Sequence, residues 1–303
     1  MTAVAAAPRK DAPAPDLGRG TLSKGRRVRN AAATVAIVSA LFVAALPLGV
    51  VVYQVASKGM GVMSLEFLTA DIPRNYRREG PGMGPAIAGT FLTTGVAALM
   101  AIPLGVLGAI YLNEYGKKSA FANFIRTMAD VMTGVPSIMM GLFVYVIWVL
   151  ATGELNAFGG ALALSCLMLP IVIRSSEEML RLVPDELRQA SAALGARKWK
   201  TIVTVVLPSA VSGITSGSLL AIARAAGETA PLIVTIGITA NMNWDAFNGG
   251  NTALSAQIFR NAAQPFAASV DRAWGAALTL IAIVLVFTVV SRLITSRFAI
   301  KEH

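Results

Sequence analysis

Charge is scarce in this chain, and so are the residues from which active sites are built. Only 14% of its 303 residues are Asp, Glu, Lys or Arg, whereas ordinary soluble domains carry about a quarter. One histidine, His303, and one cysteine, Cys166, are all it holds of either kind. A disulfide framework is excluded, and no His/Cys ligand cluster can be assembled. No G-x-x-x-x-G-K-[ST] pattern occurs, because Gly116-Lys117-Lys118-Ser119 fails both its spacing and its order. The chain therefore brings no phosphate-cradling loop of its own, and a nucleotide that drives it must bind another chain. A membrane-embedded enzyme is disfavoured as well, since Glu228 stands alone among the apolar runs, without the partner that acid–base chemistry needs.

What the chain has instead is apolar length. Hydrophobic residues make up 55% of it, and the mean hydropathy is +0.65. A spanning helix needs about 20 predominantly apolar residues. The regions Ala31–Ala56, Pro85–Asn113, Val131–Thr152, Leu155–Ile173, Ser209–Ile238 and Ala273–Ser291 qualify. Backbone groups in lipid must be satisfied within each span, so an all-α polytopic membrane protein with six transmembrane helices is expected. Cys166 lies in the fourth region and reads as a packing residue. The Met residues suit irregular interior space rather than a cofactor box.

Lys and Arg set the expected orientation. Arg9, Lys10, Arg19, Lys24, Arg26, Arg27 and Arg29 precede the first region, and Lys117, Lys118 and Arg126 follow the second. The stretch from Arg174 to Lys200 and the C-terminal Arg292, Arg297 and Lys301 fall on the same side, so both termini are placed in the cytoplasm. Lys58, Arg74, Arg77, Arg78, Arg260 and Arg272 are left for the other side. The formal net charge of +10 is mostly this topology signal, and no nucleic-acid partner is implied. Residues 1–30 are rich in Ala and Pro and read as a disordered cytoplasmic tail rather than a signal peptide. A membrane domain over 31–298 and a cytoplasmic C-terminus over 299–303 complete the expected organisation.

Between the fourth and fifth regions lies a segment with no reason to exist for the sake of lipid. Pro184 ends one helix, and Asp185 and Glu186 suit the first turn of the next. Leu187, Ala190, Ala193 and Leu194 recur at helical spacing, and Gly195 supplies a left-handed stop. Arg197, Lys198, Trp199 and Lys200 follow, and Leu207-Pro208 marks the start of the fifth span. The segment is either an ordinary cytosolic loop or a short helix that docks in a partner's groove.

The spacing resembles the EAA loop, E-A-A-x3-G-x9-I-x-L-P, of ATP-binding cassette (ABC) importer permeases. Gln189, Ala190, Ser191, Gly195, Val205, Leu207 and Pro208 occupy the motif positions, with departures at Gln189, Ser191 and Val205. Three further segments are similar to phosphate-importer permeases: Gly84 to Thr90, Gly134-Val135-Pro136-Ser137-Ile138, and Arg224-Ala225-Ala226-Gly227-Glu228-Thr229-Ala230-Pro231. The likeness runs from Ile37 to Phe298. It implies the type I ABC-importer permease fold in a bacterial plasma membrane, with a cytoplasmic coupling loop over about 179–208. It also implies a PstC-type sister permease, a dimer of cytosolic ATP-binding subunits and an extracytoplasmic phosphate-binding protein. No cofactor is expected on this chain; ATP and Mg would sit on the ATPase.

Two charged pairs are the candidate pathway residues. An Arg in mid-bilayer costs roughly 2.5–3.5 kcal/mol on insertion scales and normally faces a polar cavity or a partner charge. Arg224 and Glu228, four apart, are expected on one face of the fifth span. They form either a packing ion pair or a pathway wall, where a guanidinium fork suits two oxygens of an oxyanion. Arg174 and Glu177, three apart, are open to the same two accounts, and the resemblance implies charged residues at matching places. Sulfate or molybdate import and a passive anion channel remain as alternatives. The outer stretch from Lys58 to Gly84 is long enough to contact a binding protein or to be a plain solvated loop.

Overall fold

The computed structural model describes residues 24–77, 80, 82–117 and 119–298. It divides into two compact units, residues 1–53 and 54–303. The described part of the first unit is helix α1 (Lys24–Gly59) up to Tyr53, exposed throughout. The tail expected to end at residue 30 is shortened: residues 1–23 lie outside the described residues, and Lys24–Asn30 are already helical. Arg26, Arg27 and Arg29 are good helix formers whose charged heads reach water from a helix end, so nothing delays the helix until Ala31.

In the second unit, the last turn of α1 leads to α2 (Leu65–Thr69), whose N-cap Ser64 Oγ accepts from Phe67 N–H at 3.0 Å. Helix α3 (Gly84–Gly116) starts with Pro85 in its first turn and ends in a π-helical turn over Tyr111–Gly116. Ser119 caps α4 (Ala120–Gly134) through the Ala122 N–H. The third apolar region, expected as one span over Val131–Thr152, is broken. Helix α4 stops at Gly134, and α5 (Ser137–Thr152) leaves at 106° to it. Pro136 forces Val135 out of the α region (φ −73°, ψ 132°), as a residue before proline requires.

Asn156 begins α6 (Ala157–Leu182) by accepting from Gly159 N–H at 2.9 Å, while its amide donates to Phe247 O at 2.8 Å. After Pro184 comes α7 (Asp185–Ala193), then α8 (Lys198–Ala226), α9 (Ala230–Thr235), α10 (Leu254–Ala262) and α11 (Ala267–Phe298). The fifth span therefore differs from the expected Ser209–Ile238 at both ends. It begins at Lys198, and Leu207-Pro208 lies inside it rather than at its start. A proline within a helix collides with the carbonyl four residues back. Here Ile202–Val206 widens into a π turn, with Leu207 N–H reaching Ile202 O, and the helix continues through the proline. At the other end Gly227 closes the helix, and Glu228 and Thr229 are non-helical.

Helices α1, α3, α6, α8 and α11 are each long and apolar enough to cross a membrane, and the bent α4–α5 pair makes a sixth if its two halves form one span. The central core combines larger residues such as Leu164 and Met168 with small ones: Ala97 and Ala101 of α3, Ala161 of α6, and Ala221 and Ala225 of α8. Such residues let backbones approach closely. A Cβ on Gly105 would stand 2.7 Å from the Val172 side chain, so α3 and α6 meet where only glycine fits.

Candidate functional site

The break between α4 and α5 opens a recess of about 140 Å³. Thr133, Val135 and Ser137 line it from the break, Leu167 and Ile171 from α6, and Arg224 and Glu228 from the end of α8. Two segments far apart in sequence, Gly134 to Ile138 and Arg224 to Pro231, thus meet at one place. Close packing holds them there, because a Cβ on Gly141 would come within 2.6 Å of Pro231 Cα.

Arg224 and Glu228 do not share a helix face as their spacing suggested. Arg224 is in the last turn of α8, and Glu228 follows the Gly227 stop. Their contact is loose, Nε to Oε1 at 3.8 Å, and the Arg224 side chain is 69% exposed against 22% for Glu228. The backbone carbonyl of Glu228 accepts from Ser255 Oγ at 2.8 Å, which ties this turn to α10. A guanidinium so placed keeps most of its donors for something other than protein. The start of α5 also faces this recess without a side-chain cap. The N–H groups of a helix N-terminus carry partial positive charge. The arrangement is suited to an anion.

Arg174 and Glu177 stand elsewhere. Glu177 on α6 is only 2% exposed; its Oε1 accepts from Arg126 Nε at 2.7 Å and Arg181 at 3.0 Å. Arg174 approaches its other oxygen at 3.7 Å and pairs with Asp130 of α4. This cluster binds α6 to α4 and does not line the Arg224 recess. Arg126 and Asp130 escaped the reading of the sequence, since the partners lie 51 and 44 positions away and no local spacing links them.

The segment after α6 folds as its residues dictate. Asp185 and Glu186 occupy the first turn of α7, and Gly195 takes φ +79°. Gly195 N–H donates to Ala192 O at 2.9 Å and Ala196 N–H to Ser191 O at 3.2 Å, a Schellman closure. Gln189 and Ala190 are exposed, and Ser191 shares a 2.8 Å hydrogen bond with Thr201. The apolar edge is turned to solvent: Leu187 and Trp199 are exposed, and Leu194 is 89% exposed. Val205 lies in the π turn of α8, where its carbonyl accepts from Ser209 Oγ at 2.7 Å; Leu207 is half-buried and Pro208 exposed.

Two further residues that sequence reasoning missed anchor this helix. Arg188 donates to buried Glu114 at 2.9 Å, and to the carbonyls of Val183 at 2.6 Å and Leu180 at 2.9 Å. Glu114 lies just past the second apolar region, flanked by Tyr111 and Tyr115. An acid among aromatics at the end of a hydrophobic run was the available signal. The Gly84–Thr90 segment belongs to packing: a Cβ on Gly89 would sit 1.8 Å from Thr252 O, and Thr90 Oγ1 accepts from Leu254 N–H. Among the described residues no group of three or more His, Cys, Asp or Glu side chains could hold a metal.

Residues 101–300 match the family described as binding-protein-dependent transport system inner membrane component. Over 279 residues the chain is 42% identical to the phosphate transport system permease protein PstA 1 of Mycobacterium tuberculosis (strain ATCC 25618 / H37Rv), covering 90% of this chain and 89% of that one. The chain belongs to the PstA permease family. PstA of Mycobacterium leprae (strain TN) is 43% identical over 266 residues, with 87% of each chain covered. PstA of Yersinia pestis is 40% identical over 279 residues, with 92% of each covered. Among solved structures, a bacterial alginate ABC transporter in complex with an alginate pentasaccharide-bound periplasmic protein aligns at TM-score 0.63 and 15% identity, over 90% of this chain and 96% of that one. The inward-facing MetNI methionine ABC transporter aligns at TM-score 0.56 and 16% identity, over 72% and 94%. At such identities these two show the fold alone, and it is that of ABC-importer permeases, as the sequence had led us to expect. The PstA family places the chain in a bacterial plasma membrane as a multi-pass transport subunit.

Proposed function

We propose that this PstA-family chain forms part of the phosphate pathway of an ATP-driven importer, with Arg224 as the residue that meets the anion. The observation that carries this is an arginine 69% exposed at a recess where two helix breaks converge. A guanidinium fork matches two phosphate oxygens. The partial positive charge of the α5 N-terminus adds to the same attraction. Glu228, 3.8 Å from Arg224, competes for the guanidinium and keeps the anion from being held too firmly to leave. Arg174 and Glu177, placed in the pathway from sequence, are assigned instead to holding α4 against α6 beside it.

The other partners follow the same reading. Helix α7 offers Leu187 and Leu194, with Trp199 beyond it, to the groove of a cytosolic ATP-binding subunit, whose dimer carries ATP and Mg. Gln189 at the motif's acidic position removes one ion pair from that contact and leaves the shape intact. A PstC-type sister permease completes the bundle, and an extracytoplasmic binding protein delivers phosphate to the outer mouth. Both termini are cytoplasmic, and the coupling segment is α7 with the Gly195 turn that joins it to α8. Arg224→Gln, which removes the positive charge, should abolish uptake while the complex still assembles. Wild-type uptake by that variant removes Arg224 from the pathway.

A further inference from the structure

Helix α7 touches the rest of the chain at few places, and the strongest of them is not in the helix that follows it. Arg188 points back into the bundle and meets Glu114, 5% exposed, in the π turn that ends α3. One guanidinium edge makes the contact: Nε donates at 3.2 Å and Nη2 at 2.9 Å to the same Glu114 oxygen. Lys198, at the start of α8, donates to the Glu114 carbonyl and lies 4.5 Å over the Tyr115 ring. Helix α7 and the start of α8 are therefore both attached to one turn of α3. A further cation is attached to that turn from another direction. Arg126 of α4 donates to Leu112 O and to Lys117 O, each at 2.8 Å, so it grips the backbone on both sides of Glu114. At its other end α4 becomes the Pro136 break that lines the Arg224 recess.

We propose that Glu114 is a positioning residue through which α7 moves the pathway: the Arg188–Glu114 clamp carries displacement of α7 into the π turn of α3, and Arg126 passes it along α4 to the break beside Arg224. This rests on the reading of α7 as the ATPase contact. The physical case is one of stiffness. A buried, charge-assisted, doubly donated contact is strong, and removing one partner leaves the other buried and uncompensated. A π turn is the least regular part of α3, and such turns recur at functional sites. Direct transmission into α8 runs through the Gly195 turn, where an added Cβ would meet nothing within 4 Å, and through the neutral Ser191–Thr201 hydrogen bond.

The test uses the full complex of this chain, sister permease and ATPase in liposomes, and reads ATP hydrolysed per phosphate transported. Glu114→Gln and Arg188→Gln should each raise that ratio about fivefold, within the range that mutations along a coupling network produce. The ATPase should stay bound and its hydrolysis rate unchanged. The double variant should be no worse than the worse single one. Glu154→Gln, at an exposed residue outside both the clamp and the docking segment, should change nothing. An unchanged ratio in assembled single variants, or fully additive effects, overturns the proposal. If the singles do not assemble, Lys198→Gln decides, because it removes a cation without unpairing Glu114. A rise of about twofold supports the clamp, and the wild-type ratio overturns it. Should the wild-type complex carry sulfate or molybdate rather than phosphate, the substrate assignment falls, and the clamp is judged on the same ratio for that anion.

Discussion

Arg224 and Glu177 show how the same chemistry takes different roles according to burial. Both belong to Arg–Glu pairs at helical spacing, and in sequence nothing separates them. Glu177 is enclosed by three cations, and Arg224 is open at a recess. The distinction was not legible because Arg126 and Asp130 reach Glu177 and Arg174 only through the packing of α4 on α6. Gly195 is the opposite case, legible from its place after Leu194 and observed at φ +79°. Nothing lies within 4 Å of a Cβ built there, so a side chain at Gly195 meets strain and no clash. Left-handed backbone costs a non-glycine residue roughly 1–2 kcal/mol. Gly195→Val should therefore loosen the Schellman closure and reduce co-purification of the ATPase, and Gly195→Asn should lose less. Equal ATPase recovery for wild type and the valine variant would separate this turn from docking.

At the scale of elements, the apolar runs announced the spans, and breaks and joins were harder to see. Pro136 broke a run that hydropathy alone counted as continuous. Pro208 failed to break one, because a π turn made room for its ring. A proline by itself does not say which outcome applies; that depends on whether neighbouring packing supports the wider turn. The segment holding α10 was not legible either: nothing in its polar composition announces that Gln257, Asn261 and Ser269 are buried and bonded to one another. Helix α10 is held against α3 at Gly89, where a Cβ would lie 1.8 Å from the Thr252 carbonyl. Backbone cannot yield as a flexible side-chain end does. Gly89→Ala should destabilise the folded chain by about 1–3 kcal/mol, the usual cost of overpacking, measured as a lower unfolding midpoint of the purified protein in detergent. A midpoint equal to wild type would show that α10 shifts freely against α3.

For the molecule as a whole, the few charges explain more than the many apolar residues. Apolar length accounts for membrane residence and for an α-helical fold, and both were legible from composition. The charges sort into an exposed pair at the recess, a buried cluster between α4 and α6, and a clamp at the base of α7. The first, the Arg174–Glu177 half of the second and the helix carrying the third could be located from sequence. Those three sites form a mechanical account: a docking helix outside, a stiff contact within, and an anion-ready recess at the broken helix. The account stands or falls on whether ATP drives phosphate through this chain. The measurement is ³²P-phosphate uptake into liposomes containing this chain, its sister permease and the ATPase, with binding protein outside and either ATP or a non-hydrolysable analogue inside. Uptake only with ATP, competed by arsenate and not by sulfate, is the predicted result. Equal uptake with the analogue would mean a passive anion channel and would contradict the account.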